Sequence, residues 1–96
     1  MYRIEYAPRA LLDLQRLTDF LQENDSASAI KTFALIESAV LVLQQHPLIG
    51  RVVEHGLREL VISRGRTGYL ALYRFDESKN RCLILAIRHQ RETGYL

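Results

Sequence analysis

Six consecutive apolar residues, Cys82 to Ile87, lie inside the segment RCLILAIRH, which runs from Arg81 to His89. A strand that is apolar at every position presents apolar side chains on both faces, so it belongs in the middle of a sheet whose two faces are covered. Helices can cover one of these faces, and something else has to cover the other. This requirement constrains the possible folds more than any other feature of the chain.

Three other segments have the character of strands. Tyr2 to Tyr6 alternates apolar and polar residues, as a half-exposed strand does. Leu57 to Ser63 and Tyr69 to Phe75 are separated by a turn that contains two glycines. The polar residues Asp76 to Asn80 then form a hairpin loop that leads into the apolar strand. The last three strands are therefore expected to be neighbours joined by hairpins.

Between the first two strands the apolar residues recur with a helical period. Pro8 suits the first position of a helix, where its missing N–H costs nothing. Asn24 to Ser26 interrupts the pattern and offers caps for a second helix, which ends near His46 because Pro47 disfavours a helical conformation at the residue before it. So short a connection predicts an antiparallel helical hairpin. The predicted apolar faces comprise Ala10, Leu11, Leu14, Leu17, Phe20 and Leu21 in the first helix, and Ile30, Phe33, Ile36, Val40 and Leu43 in the second.

The order of elements is β-α-α-β-β-β. It predicts an α+β fold in which the helical hairpin packs on one face of a mainly antiparallel sheet. A chain of 96 residues is expected to form a single domain, residues 1–96, because two cores of half that size bury too little surface. Since the helices can cover only one face, we expect leucine and tyrosine side chains on the opposite face to be left for a partner to cover.

The composition, with 48% hydrophobic and 25% charged residues, is that of a soluble globular protein. The single cysteine, Cys82, cannot form an internal disulfide, so we expect a reducing, cytoplasmic location and a buried thiol. No apolar run is expected to approach the roughly 20 residues of a spanning helix, and the first residues lack the features of a secretory signal. We therefore expect no membrane contact.

The charges are distributed unevenly along the chain. Residues 1–45 carry four basic and six acidic side chains, whereas residues 46–96 carry nine basic and five acidic ones. Eleven of the thirteen cations are arginine, whose planar fork suits carboxylate and phosphate partners. The C-terminal half is therefore where an acidic protein or a nucleic acid is expected to bind.

Four segments together resemble the RelE/ParE superfamily of toxins, and the resemblance spans essentially the whole chain. They are IEYAPRALLDLQRLTDFLQE (Ile4 to Glu23), HPLIGR (His46 to Arg51), LRELVISRGRTGYLALYR (Leu57 to Arg74) and ILAIRHQRETGY (Ile84 to Tyr95). The HPLIGR loop and the ending IRHQRETGY are most similar to the ParE branch. The resemblance implies the toxin of a type II toxin–antitoxin system, co-encoded with an antitoxin that wraps it.

For the ParE branch, the resemblance implies inhibition of DNA gyrase by binding, without catalytic groups or a cofactor. The expected partners are gyrase and a cognate antitoxin, in a hetero-oligomer that contacts DNA only through the antitoxin or the gyrase complex. The residues expected to contact the target are Arg64, Arg66, Arg88, His89, Arg91 and Tyr95. Those expected to contact the antitoxin are Arg58, Tyr73 and Arg74.

The alternative is a RelE-like endoribonuclease that cleaves messenger RNA on the ribosome. Such chemistry needs a base for a 2′-hydroxyl, cations for the phosphate and an acid for the leaving oxygen. The residues that would supply these roles are Arg64, Arg66, Arg88, His89 and Tyr95. Only two lysines, Lys31 and Lys79, are present, so the lysine clusters of RelE-type nucleases have no counterpart. A binding protein is therefore favoured over an enzyme, and an interaction module without toxicity is a third class.

No metal site is expected, because the three histidines, His46, His55 and His89, are not at the spacing of metal ligands.

Overall fold

Five strands and two helices make up the part of the chain that the computed structural model describes, residues 1–23, 25–63 and 68–95. The strands are β1 (Arg3–Tyr6), β2 (Arg51–Val52), β3 (Arg58–Ile62), β4 (Tyr69–Asp76) and β5 (Arg81–His89), and the helices are α1 (Pro8–Gln22) and α2 (Ser26–Leu41). The predicted α+β fold is confirmed. Strand β2 was not predicted, because two residues are too few to show an alternating pattern.

The sheet has the order β1-β5-β4-β3-β2, with β1 parallel to β5 and all other neighbours antiparallel. Strand β5 thus has a neighbour on each side, as its continuous apolar sequence predicted. After the helical hairpin, β2 runs antiparallel to β1. Strands β2 to β5 then alternate in direction, which makes β5 parallel to β1.

Both helices pack against one face of this sheet. Helix α1 begins with Pro8 at its first position, and the Asp25 carboxylate caps α2 by accepting a hydrogen bond from the Ala27 amide at 3.0 Å. The core residues of the helices are Ala10, Leu14 and Leu17 in α1, Ile36 and Val40 in α2, and Leu43 just after it. They contact core residues of the sheet, Leu60, Ile62, Tyr69, Ala71, Tyr73, Cys82, Ile84 and Ile87.

Part of the predicted helical stripe lies outside this core. Leu11, Phe20, Ile30 and Phe33 were expected to be buried, but their exposed fractions are 53%, 68%, 71% and 44%. The helices touch the sheet and each other over a narrower strip than the sequence pattern covers. Exposed apolar surface is therefore found on the outer side of the helical hairpin.

Helix α2 and the turn that follows it, Ser26–Gln44, form a stretch of 19 residues with a mean hydropathy of 1.6. By length and composition this stretch could cross a membrane, so the expectation that no apolar run is long enough was wrong. The core helix of a folded domain satisfies the same criterion, and Ile36, Val40 and Leu43 are fully buried against the sheet here.

A β-bulge interrupts β5 next to the point where β1 ends. Leu72 of β4 lies opposite Ala86 and Tyr73 lies opposite Ile84, so Leu85 has no partner on β4. An extra residue of this kind reverses the faces to which the following side chains point. Cys82 and Ile84 before the bulge, and Ile87 after it, consequently all belong to the helix-side core.

The buried carboxylate of Asp13 completes the backbone hydrogen bonding of β5 beyond the end of β1. The Ile87 amide donates to Asp13 Oδ2 at 2.8 Å, and Arg16 Nη2 lies 3.6 Å from the other carboxylate oxygen. Arg16 also donates to Glu92 Oε2 at 2.8 Å. Helix α1 is thus tied both to the bulged part of β5 and to the residues that follow the strand.

Replacing Asp13 with alanine should lower the free energy of unfolding by about 1–3 kcal/mol, because the buried Ile87 amide loses its acceptor. Urea denaturation of the purified protein measures this loss. The matched control is Asp19→Ala on the exposed side of the same helix, which should change the free energy by less than about 0.5 kcal/mol. Equal effects of the two substitutions would contradict the role given to Asp13.

Candidate target-binding surface

The C-terminal residues turn back across the open face of the sheet, which is the face without helices. Arg88 lies on this face opposite Leu70, and its guanidinium carbon is 5.3 Å from the centre of the Tyr95 ring. Arg88 Nη1 also donates to the backbone carbonyl of Glu92. Residues 90–95, called the tail below, are therefore attached to β5 by a cation–π contact and a hydrogen bond.

The end of the tail is hydrogen-bonded to Glu59 of β3. The Tyr95 hydroxyl donates to Glu59 Oε2 at 2.7 Å, and Arg51 Nε donates to Oε1 at 3.0 Å. Glu59 is only 6% exposed, so its carboxylate is buried beneath these two partners. The sequence pattern predicts no role for Glu59, because Arg51 and Tyr95 are 8 and 36 residues away along the chain.

His89 lies on the opposite face of the sheet from Arg88 and Tyr95. Its ring packs edge-on against Tyr69, with the ring centres 5.1 Å apart, and its Nδ1 accepts a hydrogen bond from the Arg91 amide at 3.1 Å. It lines a crevice of about 550 Å³ between α1 and the end of β5, together with Leu17. The structure therefore does not bring His89 together with the other predicted nuclease residues that it describes.

The remaining residues of the predicted target surface are arginines. Arg91 is exposed, and its guanidinium forms no ion pair within residues 1–23, 25–63 and 68–95. Arg64 and Arg66 lie outside the described residues. The segment that contains them is connected to Gly68, whose carbonyl accepts a hydrogen bond from the Gln90 amide at 3.0 Å.

Two of the residues predicted to contact an antitoxin, Tyr73 and Arg58, hold a loop. The Tyr73 hydroxyl donates to the Pro47 carbonyl at 2.7 Å and accepts from the Gly50 amide at 2.9 Å. Arg58 Nη1 donates to the Leu48 and Gly50 carbonyls at 3.0 and 2.8 Å. Tyr73 has no exposed surface, so its burial corrects the prediction that it meets a partner. Arg74 is exposed on the open face.

Residues 4–94 match the family model described as the ParE toxin of a type II toxin–antitoxin system, parDE. The chain belongs to this family. It is also 35% identical over 92 residues to a protein named Toxin RelE3 from Caulobacter vibrioides, a match that covers 96% of this chain and 98% of that protein. The predicted RelE/ParE resemblance is confirmed, and the chain is a toxin of the ParE/RelE type.

Solved structures have the same fold. The toxin superposes with a TM-score of 0.78 and 26% identity on a chain of the chromosomal ParDE toxin–antitoxin system from P. aeruginosa, covering 93% of this chain and 96% of that one. The RelBE2 complex from Mycobacterium tuberculosis gives a TM-score of 0.66 at 24% identity, covering 93% of this chain and 98% of that one. At that identity the second likeness shows the fold alone.

The sequence pattern predicts an uncovered apolar surface on the open face of the toxin, but the structure shows a face that is partly covered. Tyr95 reaches from Arg88 on β5 to Glu59 on β3 and therefore crosses β4. Leu70 and Ala86 on this face are buried, with exposed fractions of 7% and 3%. The toxin's own tail thus covers part of the face.

The surroundings of Tyr95 and Glu59 determine the protonation states of both side chains. Burial, followed by the hydrogen bond to Glu59 and the negative charge of that residue, raises the pKa of the Tyr95 hydroxyl far above its ordinary value. Burial alone would raise the pKa of Glu59, but the hydrogen bonds from Arg51 and Tyr95 outweigh it and lower that pKa. Near neutral pH, Tyr95 is therefore a neutral donor to a negatively charged Glu59.

No group of three or more histidine, cysteine, aspartate or glutamate side chains that could hold a metal ion occurs in the part of the toxin that the structure describes.

The stabilisation from Glu59 should depend on pH. Because its pKa in the folded toxin lies below the ordinary value of 4.5, the unfolded chain takes up this proton first as the pH falls. The stabilisation is thus fully present above pH 4.5 and is lost as the pH falls through the folded pKa. In urea denaturation at a series of pH values, the difference in unfolding free energy between the wild type and Glu59→Gln should shrink below pH 4.5.

Asp25 and Asp76, whose pKa values are lowered by hydrogen bonds from Ser28 and Ser78, titrate in both proteins and cancel in this difference. A difference that stays constant across the acid range would show that the folded toxin does not favour the charged form of Glu59.

Proposed function

We propose that the toxin inhibits DNA gyrase by binding it, trapping the enzyme with cleaved DNA, and that it carries out no bond-making chemistry of its own. The observation that carries this proposal is the separation of the groups that a nuclease would need. Arg88 and Tyr95 lie on the open face, whereas His89 lies on the helix side against Tyr69.

Tyr95 is poorly suited to act as a general base. A base must take a proton from the reacting hydroxyl, but the Tyr95 hydroxyl already donates its own proton to Glu59, and its raised pKa keeps it protonated. A neutral, fixed tyrosine packed against an arginine is instead the kind of group that makes a contact in a protein–protein interface.

The charge of this region fits the proposed target. Arg88 and Arg91 belong to the C-terminal half of the chain, which carries an excess of positive charge. Such a surface attracts and orients a negatively charged partner, which suits a complex of gyrase with DNA. The toxin itself would contact DNA only through that complex or through the antitoxin.

We also propose a cognate antitoxin as the second partner, in a hetero-oligomer located in the cytoplasm. Similar solved structures are described as toxin–antitoxin systems or complexes. In this toxin the exposed apolar residues of the helical hairpin, among them Leu12 and Ile30, require a cover. An antitoxin segment with apolar and acidic residues could cover them and also reach Arg74.

Ribosome-dependent cleavage of messenger RNA is the alternative, and the name of the relative Toxin RelE3 favours it. This function would require His89 and Tyr95 to meet at the RNA, although they lie on different faces of the free toxin. It predicts cuts at the ribosomal A site that disappear in His89→Ala or Tyr95→Ala.

Arg91→Ala should weaken gyrase inhibition at least about tenfold, because an exposed arginine that meets a carboxylate or phosphate contributes about 1.5–3 kcal/mol. The measurement is the toxin concentration that halves the supercoiling of a relaxed plasmid, with cleaved complexes scored on the same gels. The matched control is Arg9→Ala on the exposed side of α1, which should inhibit like the wild type.

Full supercoiling activity at an excess of wild-type toxin would exclude gyrase as the target. If messenger RNA is then cut at the A site, the alternative is supported instead.

A further inference from the structure

Residues 47–52, the turn before β2 and β2 itself, are called the loop below and present apolar side chains on a fixed backbone. Leu48, Ile49 and Val52 are 57%, 58% and 65% exposed. The loop carbonyls and the Gly50 amide are held by Tyr73 and Arg58, as described above. A side chain at Gly50 would not fit, since its Cβ would lie 2.6 Å from the Tyr73 hydroxyl. Exposed apolar groups that are already ordered lose little entropy when a partner binds them.

This loop is connected to the tail through one buried carboxylate. Arg51, next to Gly50, donates to one oxygen of Glu59, and Tyr95 donates to the other, at 3.0 and 2.7 Å. Glu59 itself is almost completely buried, so it offers no surface to a partner. Its position fixes the loop and the tail relative to each other across β3.

We propose that the loop, residues 47–52, and the tail form one surface that contacts the target of the toxin, with Glu59 as the positioning residue that holds the two parts together. The inference rests on the proposed role of the tail in target binding. It adds the loop to that surface and specifies which kind of surface on the target would bind it.

The partner that fits is a protein surface with an apolar pocket bordered by carboxylates. Leu48 and Ile49 are adjacent aliphatic anchors, which an apolar pocket accommodates and the backbone of a nucleic acid does not. Arg51 follows these anchors closely in the chain and Arg88 packs against Tyr95 of the tail, so the border of the pocket would have to be acidic.

The first test removes the anchors. Leu48→Ser/Ile49→Ser should raise the amount of toxin needed to arrest cell growth at least about tenfold, as expected for anchor residues of an interface, while an antitoxin co-expressed with the toxin is still retained. The control, Val42→Ser, removes an exposed apolar side chain from the turn that follows α2 and should leave growth arrest unchanged. Both variants should keep the wild-type unfolding midpoint.

The second test concerns Glu59. Glu59→Gln keeps the size of the side chain but removes the charge and turns an amide donor towards Arg51 or Tyr95. Hydrogen exchange at the Gly94 and Tyr95 amides should become faster, and growth arrest should weaken about tenfold. Glu54→Gln, at a carboxylate whose side chain is 93% exposed, should change neither measurement.

A double-mutant cycle separates positioning from a general loss of stability. If Glu59 acts through Tyr95, adding Tyr95→Phe to Glu59→Gln should cause no further loss of growth arrest, because the contact is already broken. A merely structural role would instead give additive losses together with a lower unfolding midpoint and weaker antitoxin retention.

Growth arrest reports the activity of the toxin whatever its target, whereas supercoiling reports gyrase alone. If the variants lose growth arrest although the wild type leaves gyrase active, the surface is supported and the gyrase proposal fails. Wild-type growth arrest by Leu48→Ser/Ile49→Ser, or unchanged tail exchange in Glu59→Gln, would overturn the inference.

Discussion

The interaction on which the rest of this structure depends is the packing of α1 against the bulged half of β5. Strand β1 ends at Tyr6, so β5 loses its parallel neighbour there, and the carboxylate of Asp13 accepts the hydrogen bond of the Ile87 amide in its place. The bulge at Leu85 keeps Ile87 in the core and turns Arg88 towards the open face. Without that extra residue, the alternation of the strand would place Arg88 under α1, where its charge would be buried at high cost.

A second buried carboxylate organises the open face. Glu59 is almost inaccessible, and an uncompensated charge at such a site is strongly unfavourable. Arg51 and Tyr95 supply the compensation, and as a consequence the tail and the edge of the sheet are held in fixed positions. The open face is therefore occupied by a contact that keeps Tyr95 neutral and hydrogen-bonded, which suits recognition better than proton transfer.

The two sides of the toxin differ in chemistry. The outer side of the helical hairpin carries exposed apolar residues, Ile30 and Phe33 among them, whereas the open face of the sheet carries Arg88 packed against Tyr95 of the tail. The hydropathy of α2 is high because its inner residues pack on the sheet and many of its outer ones are also apolar. Two surfaces of such different character are suited to two different macromolecules, as the proposed antitoxin and target require.

The sequence by itself determined the features that depend on neighbouring residues: the order of the elements, the start of α1 at Pro8, the Asp25 cap and the interior position of β5. Local periodicity and capping need only a few adjacent side chains, so they can be read along the chain. Tertiary structure alone decided that Arg88 faces the open side and His89 the helices, that Glu59 joins Arg51 to Tyr95, and that the helical stripe is only partly buried. These features depend on one extra residue in a strand pairing, on partners 8 and 36 residues away, and on how closely two helices approach a sheet. The local sequence pattern does not determine any of these three features.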